Sequence, residues 1–373
     1  PADLANIHKY MQRPAGADAA SLTLQAWQRG RAARQRLLSA RAPAVDLDAE
    51  CAAAALVRSL SPEGGSSFAY RQMDASGRSL RTLSALAQYP HLTSLDLSHN
   101  KLRSIAAVGA LTRLVSLSVA HNLLVTVDLP AAPSLRRLDA RCNAVRHVDG
   151  LGQRAHALEE LILDGNNLSS LSGLSGLCQL RTLSAGRNRL SEVSELATAA
   201  PLLARLDLSR NRLEDVACLA SMAALTTARL AHNRISQLPV LSRLRRLAEL
   251  DVSHNELASL AALRDGLTGS PSLRRLAVEA NPFSGVDASG EAMRLELLWL
   301  FPSLSELEGS PVEAVEKVRA QSRHSADADA LLAIRRRHLP DEGLAASASE
   351  AARQPLQSEE DSPLVRAWVD VGA

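Results

Sequence analysis

The 373-residue chain is poor in aromatics: Phe, Trp and Tyr make up 2% of it, although 46% is hydrophobic. Its core must then be aliphatic, built from Leu, Val and Ala, which suits a regular stack better than an irregular pocket. Lysine is scarce too. Lys9, Lys101 and Lys317 are the only ones, and arginine carries the rest of the positive charge. With 42 basic against 40 acidic residues, the charge is balanced and a nucleic-acid partner is not expected. No run of 18 apolar residues occurs, so no membrane span is expected. The first residues as they stand are too polar for a secretory signal. Cys51, Cys142, Cys178 and Cys218 form no CxxC pair. They read as four separate thiols in a reducing compartment, not as a disulfide framework or a zinc site. The phosphate loop, the GxSxG elbow and the HExxH helix are also missing. No nucleophile is set beside a base, no cofactor is implied, and the chain is not expected to be an enzyme.

What the sequence does contain is a repeat. From Leu95 it reads LDLSHNKL, LSVAHNLL, LDARCNAV, LILDGNNL, LSAGRNRL, LDLSRNRL, ARLAHNRI, LDVSHNEL and LAVEANPF. Each block holds one Asn in the same place: Asn100, Asn122, Asn143, Asn166, Asn188, Asn211, Asn233, Asn255 and Asn281. The steps between them are 22, 21, 23, 22, 23, 22, 22 and 26 residues. Apolar residues five and three positions before each Asn alternate, as on the inward face of a short strand. Apolar residues spaced by three after it suit a 3₁₀ or helical return. One such unit cannot bury its leucines alone, but a stack of them forms a continuous core. The Asn amide can bond backbone groups of its own coil and of its neighbours. An unpaired buried amide costs about 1–3 kcal/mol, so the ladder is structural. Met73 to Leu80 fits the frame weakly, with Arg78 in place of Asn.

The frame LxxLxLxxNxLxxLxxLxxL resembles the leucine-rich repeat family over about Tyr70 to Val312. The 22-residue period resembles its short intracellular subclass, typified by a phosphatase-regulating protein and an axonemal dynein light chain. Asn281-Pro282-Phe283 followed by RLELLWLFPSLSELEGSPV (294–312) is similar to that family's C-terminal cap, with Glu308 where Asp is usual. The resemblance implies an α/β leucine-rich repeat solenoid, with short parallel strands on a concave face and 3₁₀ or helical returns on the convex face. Helical extensions are expected at both ends. The expected layout is an N-terminal extension over 1–68, the solenoid over 70–312 with its cap at about 281–312, a helical arm over 313–340 leaving the stack, and an unstructured tail over 341–373. Nine or ten strands would make a sheet roughly 45 Å long.

Outward strand positions lie six, four and two residues before each Asn. They supply the expected concave contacts Arg137, Asp139, Arg141, Glu160, Asp164, Arg205, Asp207, Arg229, Glu249 and Asp251. This surface is polar and mixed in charge, without the aromatic anchors common at interfaces. It fits a polar protein partner; the alternative is a solvated face. Arg187, Arg189, Arg210, Arg212 and Arg234 flank successive ladder residues on one edge, either as a docking strip for an acidic protein surface or as a solvated Arg-rich edge. His99, His121, His232 and His254 precede ladder residues in adjacent coils, but paired imidazoles without Cys or carboxylate do not make a zinc site.

Before the solenoid, residues 21–39 read as a helix capped by Ser21. The run LQAWQRGRAARQRL resembles the IQ motif at Leu24, Gln25, Arg29, Gly30, Arg34 and Leu37, with Trp27 on the same segment. The resemblance implies binding of calmodulin, centrin or a similar light chain. Leu24 and Leu37 would each enter an apolar groove, Gln25 would bond backbone, Gly30 would allow close approach, and Arg29 and Arg34 would face acidic partner residues. The alternative is an Arg-rich amphipathic helix docked on the solenoid or on a membrane surface. Asp46 to Leu60 is expected to be helical and to cover the first coil's open edge. Solenoid and IQ helix together resemble ciliary and centriolar scaffolds. They imply a non-enzymatic role in the cytoplasm and cytoskeleton, in the axoneme of a cilium or flagellum, within a large assembly of axonemal or cytoskeletal proteins. The alternative from the same repeat length is a regulatory subunit of a protein phosphatase.

Overall fold

The computed structural model describes residues 45–60, 68–267, 270–285 and 290–323. The IQ segment 21–39, the turn 61–67, the arm residues 324–340 and the tail 341–373 lie outside them. The chain divides into two compact units, one holding residues up to Ser272 together with Val278–Phe283, the other Leu273–Ala277 with the chain from Ser284.

The first unit opens with strand β1 (Val45–Asp46) and a helix, Ala49–Ala55, whose N-cap Asp48 accepts from Cys51 N at 2.8 Å. The expected helix over 46–60 stops there. Leu56 turns extended (φ −71°, ψ 131°), and strand β2 (Leu56–Leu60) pairs antiparallel with β3 (Phe68–Asp74). The reason is hydrogen bonding. An open sheet edge presents a row of unpaired N–H and C=O groups that a covering helix cannot satisfy and a strand can. β3 pairs in parallel with β5 (Ser94–Asp96), so the weak repeat at Met73–Leu80 is a true first coil. Between them in sequence, β4 (Leu80–Thr82) pairs with β1 in a small second sheet.

From β5 the strands run in parallel, in register and without crossover: β6 (Ser116–Ser118), β7 (Arg137–Asp139), β8 (Glu160–Ile162), β9 (Thr182–Ser184), β10 (Arg205–Asp207), β11 (Thr227–Arg229) and β12 (Glu249–Asp251). Leu95, Leu117, Leu138, Leu161, Leu183, Leu206, Ala228 and Leu250 stand side by side in this register and are all buried. This is the expected leucine-rich repeat solenoid, with its core made from the aliphatic positions of the frame.

Longer steps return through longer helical turns, although the 22-residue step from Asn233 returns with no helical element. The 22-residue steps from Asn100, Asn166 and Asn211 return through 3₁₀ turns at Ala106–Ala110, Ser172–Leu174 and Ala217–Ser221. The 23-residue steps from Asn143 and Asn188 return through single α turns at Leu151–Arg154 and Leu196–Ala199. The 26-residue step from Asn255 holds an eight-residue helix, Leu260–Leu267. A 3₁₀ turn rises about 2.0 Å per residue and an α-helix about 1.5 Å, so extra residues are taken up by the more compact winding. Gly152 and Gly173 lie where successive returns touch. A Cβ on Gly152 would meet Ser175 O at 2.0 Å, and one on Gly173 would meet Val148 O at 2.1 Å.

The ladder amides join coil to coil. Asn166 Nδ2 donates to Leu163 O at 2.8 Å in its own coil and to Ala140 O at 3.0 Å in the preceding one. Its Oδ1 accepts from Val145 N at 3.0 Å. The same set recurs at Asn122, Asn188, Asn233 and Asn255. In the first coil Arg78 replaces the amide and reaches further. Its guanidinium donates to Cys51 O and Ala54 O, at 3.1 and 3.2 Å, at the end of the Ala49–Ala55 helix. One carbonyl left open by the last turn of that helix, Ala54 O, is thereby satisfied, with cationic charge at the favourable end of its dipole.

In the second unit β13 (Arg275–Ala277) pairs in parallel with β14 (Glu306–Leu307), which turns through Glu308 and Gly309 (φ 53° and 72°) into β15 (Ser310–Pro311). Two successive positive φ values are what a tight hairpin needs. The expected arm begins differently. Helix Ala314–Arg323 is held against helix Gly290–Leu300 by Arg294, whose guanidinium binds both carboxylate oxygens of Glu316 at 2.8 and 3.1 Å and also Leu307 O and Pro311 O. Val318 and Ala320 are buried, so this stretch packs within its unit and does not leave it.

Candidate functional site

Two surfaces of the first unit carry residues predicted to contact a partner: the exposed sheet face and the edge at the ladder turns. The IQ residues Leu24, Gln25, Trp27, Arg29, Gly30, Arg34 and Leu37 lie outside the described residues.

On the sheet face the strand register aligns two outward rows. One runs Ser94, Ser116, Arg137, Glu160, Thr182, Arg205, Thr227, Glu249; the other runs Asp96, Ser118, Asp139, Ile162, Ser184, Asp207, Arg229, Asp251. The register therefore brings eight of the ten predicted concave residues onto these rows, while Arg141 and Asp164, beyond the strand ends, bond to Asp139 and Ser184 of the second row. It also pairs most of them with each other. Arg137 Nε donates to Glu160 Oε2 at 2.7 Å across neighbouring strands, and Arg229 Nε to Glu249 Oε1 at 2.9 Å. Arg141 Nε lies 2.8 and 2.9 Å from the Asp139 oxygens. Asp207 and Asp251 each accept from the backbone N–H and the hydroxyl of the serine two residues on, Ser209 and Ser253. Asp164 accepts from Ser184 Oγ and Gly186 N at 2.7 Å.

The charges follow from this pairing. Burial raises the Asp164 carboxyl above its ordinary value, with its Ser184 and Gly186 bonds and Arg141 opposing and nearby Asp207 adding to the shift. The guanidiniums of Arg141 and Arg229 are held above theirs, chiefly by hydrogen bonds to Asp139 and Glu249. Exposed pairs of this kind contribute roughly 0.2–1 kcal/mol each. Arg205 stands apart, exposed and in no ion pair with a described residue.

The edge is built by a backbone feature that periodicity alone does not reveal. The residue before each ladder Asn is left-handed: His99, His121, Cys142, Arg187, Arg210, His232, His254 and Ala280 have φ of 53–58°, and Gly165 has φ 67°. Its N–H donates to a carbonyl of the next coil, as from Arg187 to Ser209 O and from Arg210 to Ala231 O, both at 2.7 Å. That conformation turns the chain out of the strand. Only Gly165 occupies it without steric cost, and that glycine was the one sequence signal available. Coil by coil, the edge side chains form a column. His99 and His121 stack with ring centroids 4.3 Å apart and planes 10° off parallel; His232 and His254 do so at 4.0 Å and 8°. Burial, His254 and Arg210 hold His232 below its ordinary value. Face-to-face rings do not converge their nitrogens on one point, and no group of three or more metal-binding side chains occurs among the described residues.

Arg187 and Arg210 belong to this column. Arg189, Arg212 and Arg234 follow the ladder Asn in three consecutive coils. All five are exposed, and none forms an ion pair with a described residue. A shallow depression lined by Ala217, Ala220, Ser221, Val240, Ser242 and Arg243 lies on the return side and brings together no acid–base pair. The Cys218 thiol beside it is pushed up to about 11, mainly by burial, and is no nucleophile at neutral pH. Among the described residues, no helix is long and apolar enough to cross a membrane.

A model described as leucine-rich repeat matches residues 90–107, the coil around Asn100. No curated protein gives a significant match. Among solved structures, the chain is similar to an internalin (inlF) from Listeria monocytogenes at 18% identity, over 64% of this chain and 79% of that one, with a TM-score of 0.49. It is similar to the functional domain of InlJ from Listeria monocytogenes at 19% identity over 67% and 57%, TM-score 0.48. It also resembles a chain of the Toll–Spatzle complex of Drosophila at 18% identity, covering 56% of this chain but only 34% of that one, TM-score 0.48. In its strands, returns and ladder, the described chain is a leucine-rich repeat solenoid.

Proposed function

We propose that this protein is a non-enzymatic scaffold that holds protein partners on its solenoid and recruits calmodulin, centrin or a similar light chain through the IQ-like helix. The observation that carries the reading is the stack itself. Its polar groups are committed to joining coils, and its outward rows present a continuous surface for another polypeptide. Support for the light chain comes from the sequence of residues 21–39, where Leu24, Gln25, Arg29, Gly30, Arg34 and Leu37 match the IQ pattern. A place in the cytoskeleton, in the axoneme of a cilium or flagellum, follows from the combination of 22-residue repeats with that motif. The phosphatase-regulator alternative rests on repeat length alone, and no aromatic anchor stands on the outward rows.

Two measurements test this. Titrating the full chain with calcium-free calmodulin should show binding that is lost in a Leu24→Ala, Arg29→Ala variant; equal binding by both would remove the IQ assignment. Cross-linking and co-purification from the native source should recover cytoskeletal proteins, less of them with Arg137→Glu, Arg205→Glu. Recovery of a phosphatase catalytic subunit in their place would reverse the order of the two readings.

A further inference from the structure

We infer that the arginine edge, and not the sheet face, is the primary docking surface, and that its occupant is an acidic peptide segment of a partner protein. The inference rests on the scaffold reading above and names which surface acts and what chemistry it takes. Cations of the sheet face are largely paired with its own carboxylates: Arg137 with Glu160, Arg141 with Asp139, Arg229 with Glu249. Arg187, Arg189, Arg210, Arg212 and Arg234 have no such partners. Glu214 lies two residues from Arg212 and Glu256 holds the position of Arg234 in the next coil, yet neither forms an ion pair with a described residue, and two other acids along these coils are bonded elsewhere. Glu192 accepts from Ser194 Oγ at 2.7 Å, and Asp215 accepts from Ala217 N at 2.7 Å, each tied to the return that follows.

The strip is local. The same positions in the two coils just before the strip hold Gly165 and Asn167, and Cys142 and Ala144, so a general excess of arginine does not account for it. Arg187 and Arg210 occupy the left-handed position shared by the ladder turns, and their side chains bond no described residue. Coils about 4.8 Å apart place Arg189, Arg212 and Arg234 along a line of roughly 10 Å. An extended segment lying along this line carries a carboxylate on each near side chain every ~7 Å, within reach of flexible guanidiniums. The strip itself carries no Phe, Trp or Tyr, the neighbouring rings of His232 and His254 are stacked on each other, and the chain's balanced charge supplies no long-range field for a nucleic acid.

The test uses the full chain and fluorescence anisotropy of a labelled twelve-residue peptide of alternating Glu and Ser. A Lys–Ser peptide and a single-stranded oligonucleotide of twelve thymidines run beside it. Binding of the Glu–Ser peptide is expected at 50 mM salt, weakened about tenfold or more in Arg189→Gln, Arg212→Gln, Arg234→Gln, which changes three exposed side chains outside the left-handed positions. Arg113→Gln, an exposed arginine in the return before β6 and on neither surface, should leave the affinity within about twofold, and 300 mM salt should weaken it strongly. Absence of peptide binding, equal binding by the triple variant, or tighter binding of the oligonucleotide would overturn the inference. If the peptide fails while a partner is still captured through Arg137 and Arg205, only the edge is excluded and the scaffold reading stands.

Discussion

The ladder makes a sharp prediction at Asn166, which is 6% exposed. Replacing it with alanine removes three strong bonds, but the damage is uneven. Ala140 O keeps its bond from Asn143 Nδ2 at 3.0 Å, and Leu163 O keeps its bond from Asn188 Nδ2 at 3.0 Å, because each inner carbonyl accepts from two successive amides. Val145 N–H, in contrast, loses its acceptor in a fully buried coil. One orphaned buried donor costs about 1–3 kcal/mol, so Asn166→Ala should destabilise by about 2–3 kcal/mol. Asn166→Asp should be worse at pH 7. It keeps the acceptor for Val145 but sets a carboxylate oxygen against Ala140 O and Leu163 O, with Asp164 nearby. Crowding by acceptors and burial raise a carboxyl's folded pKa above its unfolded value of about 3.9, so the folded form binds the extra proton. Stability of this variant therefore recovers as pH falls from 7 towards that raised value. Urea unfolding followed by far-UV circular dichroism at pH 7 and pH 5 reads both effects. If Asn166→Asp is no less stable than Asn166→Ala at pH 7, or if its deficit does not shrink at pH 5, the ladder does not work by donating to carbonyls.

The remaining predictions concern packing and charge. Leu208→Ala should cost about 2–5 kcal/mol in urea unfolding, since Leu208 is buried in the continuous core; an unchanged midpoint would contradict its inward placement. Gly173→Ala should cost about 1–3 kcal/mol or more by the same measurement, because its Cβ would meet the backbone of the adjacent return. Glu316→Gln should lower stability by about 1 kcal/mol at pH 7. Arg294 holds that carboxyl below its ordinary value, so the contribution is present above the unfolded pKa, is lost as pH falls through the folded one, and the two proteins should converge in acid. The His232 imidazole is held below its ordinary value, so stability should decline as pH falls below about 6.5. A His232→Asn variant, which tolerates the left-handed turn, should show a flatter thermal-melting profile between pH 5 and 7.

Much of the fold was legible because a repeat states its own rule many times. The inward leucines, the ladder amides and the placing of Ser94, Asp96 and their successors on the outward rows all follow from spacing. Less legible were the ends. Asp46–Leu60 reads as an alanine-rich helix, yet Leu56 onward becomes a strand because β3 has an open edge to fill. Helical spacing after Glu313 reads as an arm, yet Arg294 draws that helix onto the cap. On the candidate surfaces the sequence names the charged residues but not which of them are free. Arg137 and Arg205 occupy equivalent places in their coils, and only Arg137 meets a carboxylate in the next strand.

Sequence alone determined the coil, its period, the aliphatic core and the amide at each corner, because a short strand and its return are local objects whose pattern is written within about 22 residues. The tertiary structure alone decided the left-handed residue before each amide, the stacking of His99 on His121 and of His232 on His254, the pairing of the sheet-face charges and the isolation of the edge arginines. These depend on which coil lies beside which, at about 4.8 Å, a distance set by hydrogen bonds between strands and not by anything within one repeat.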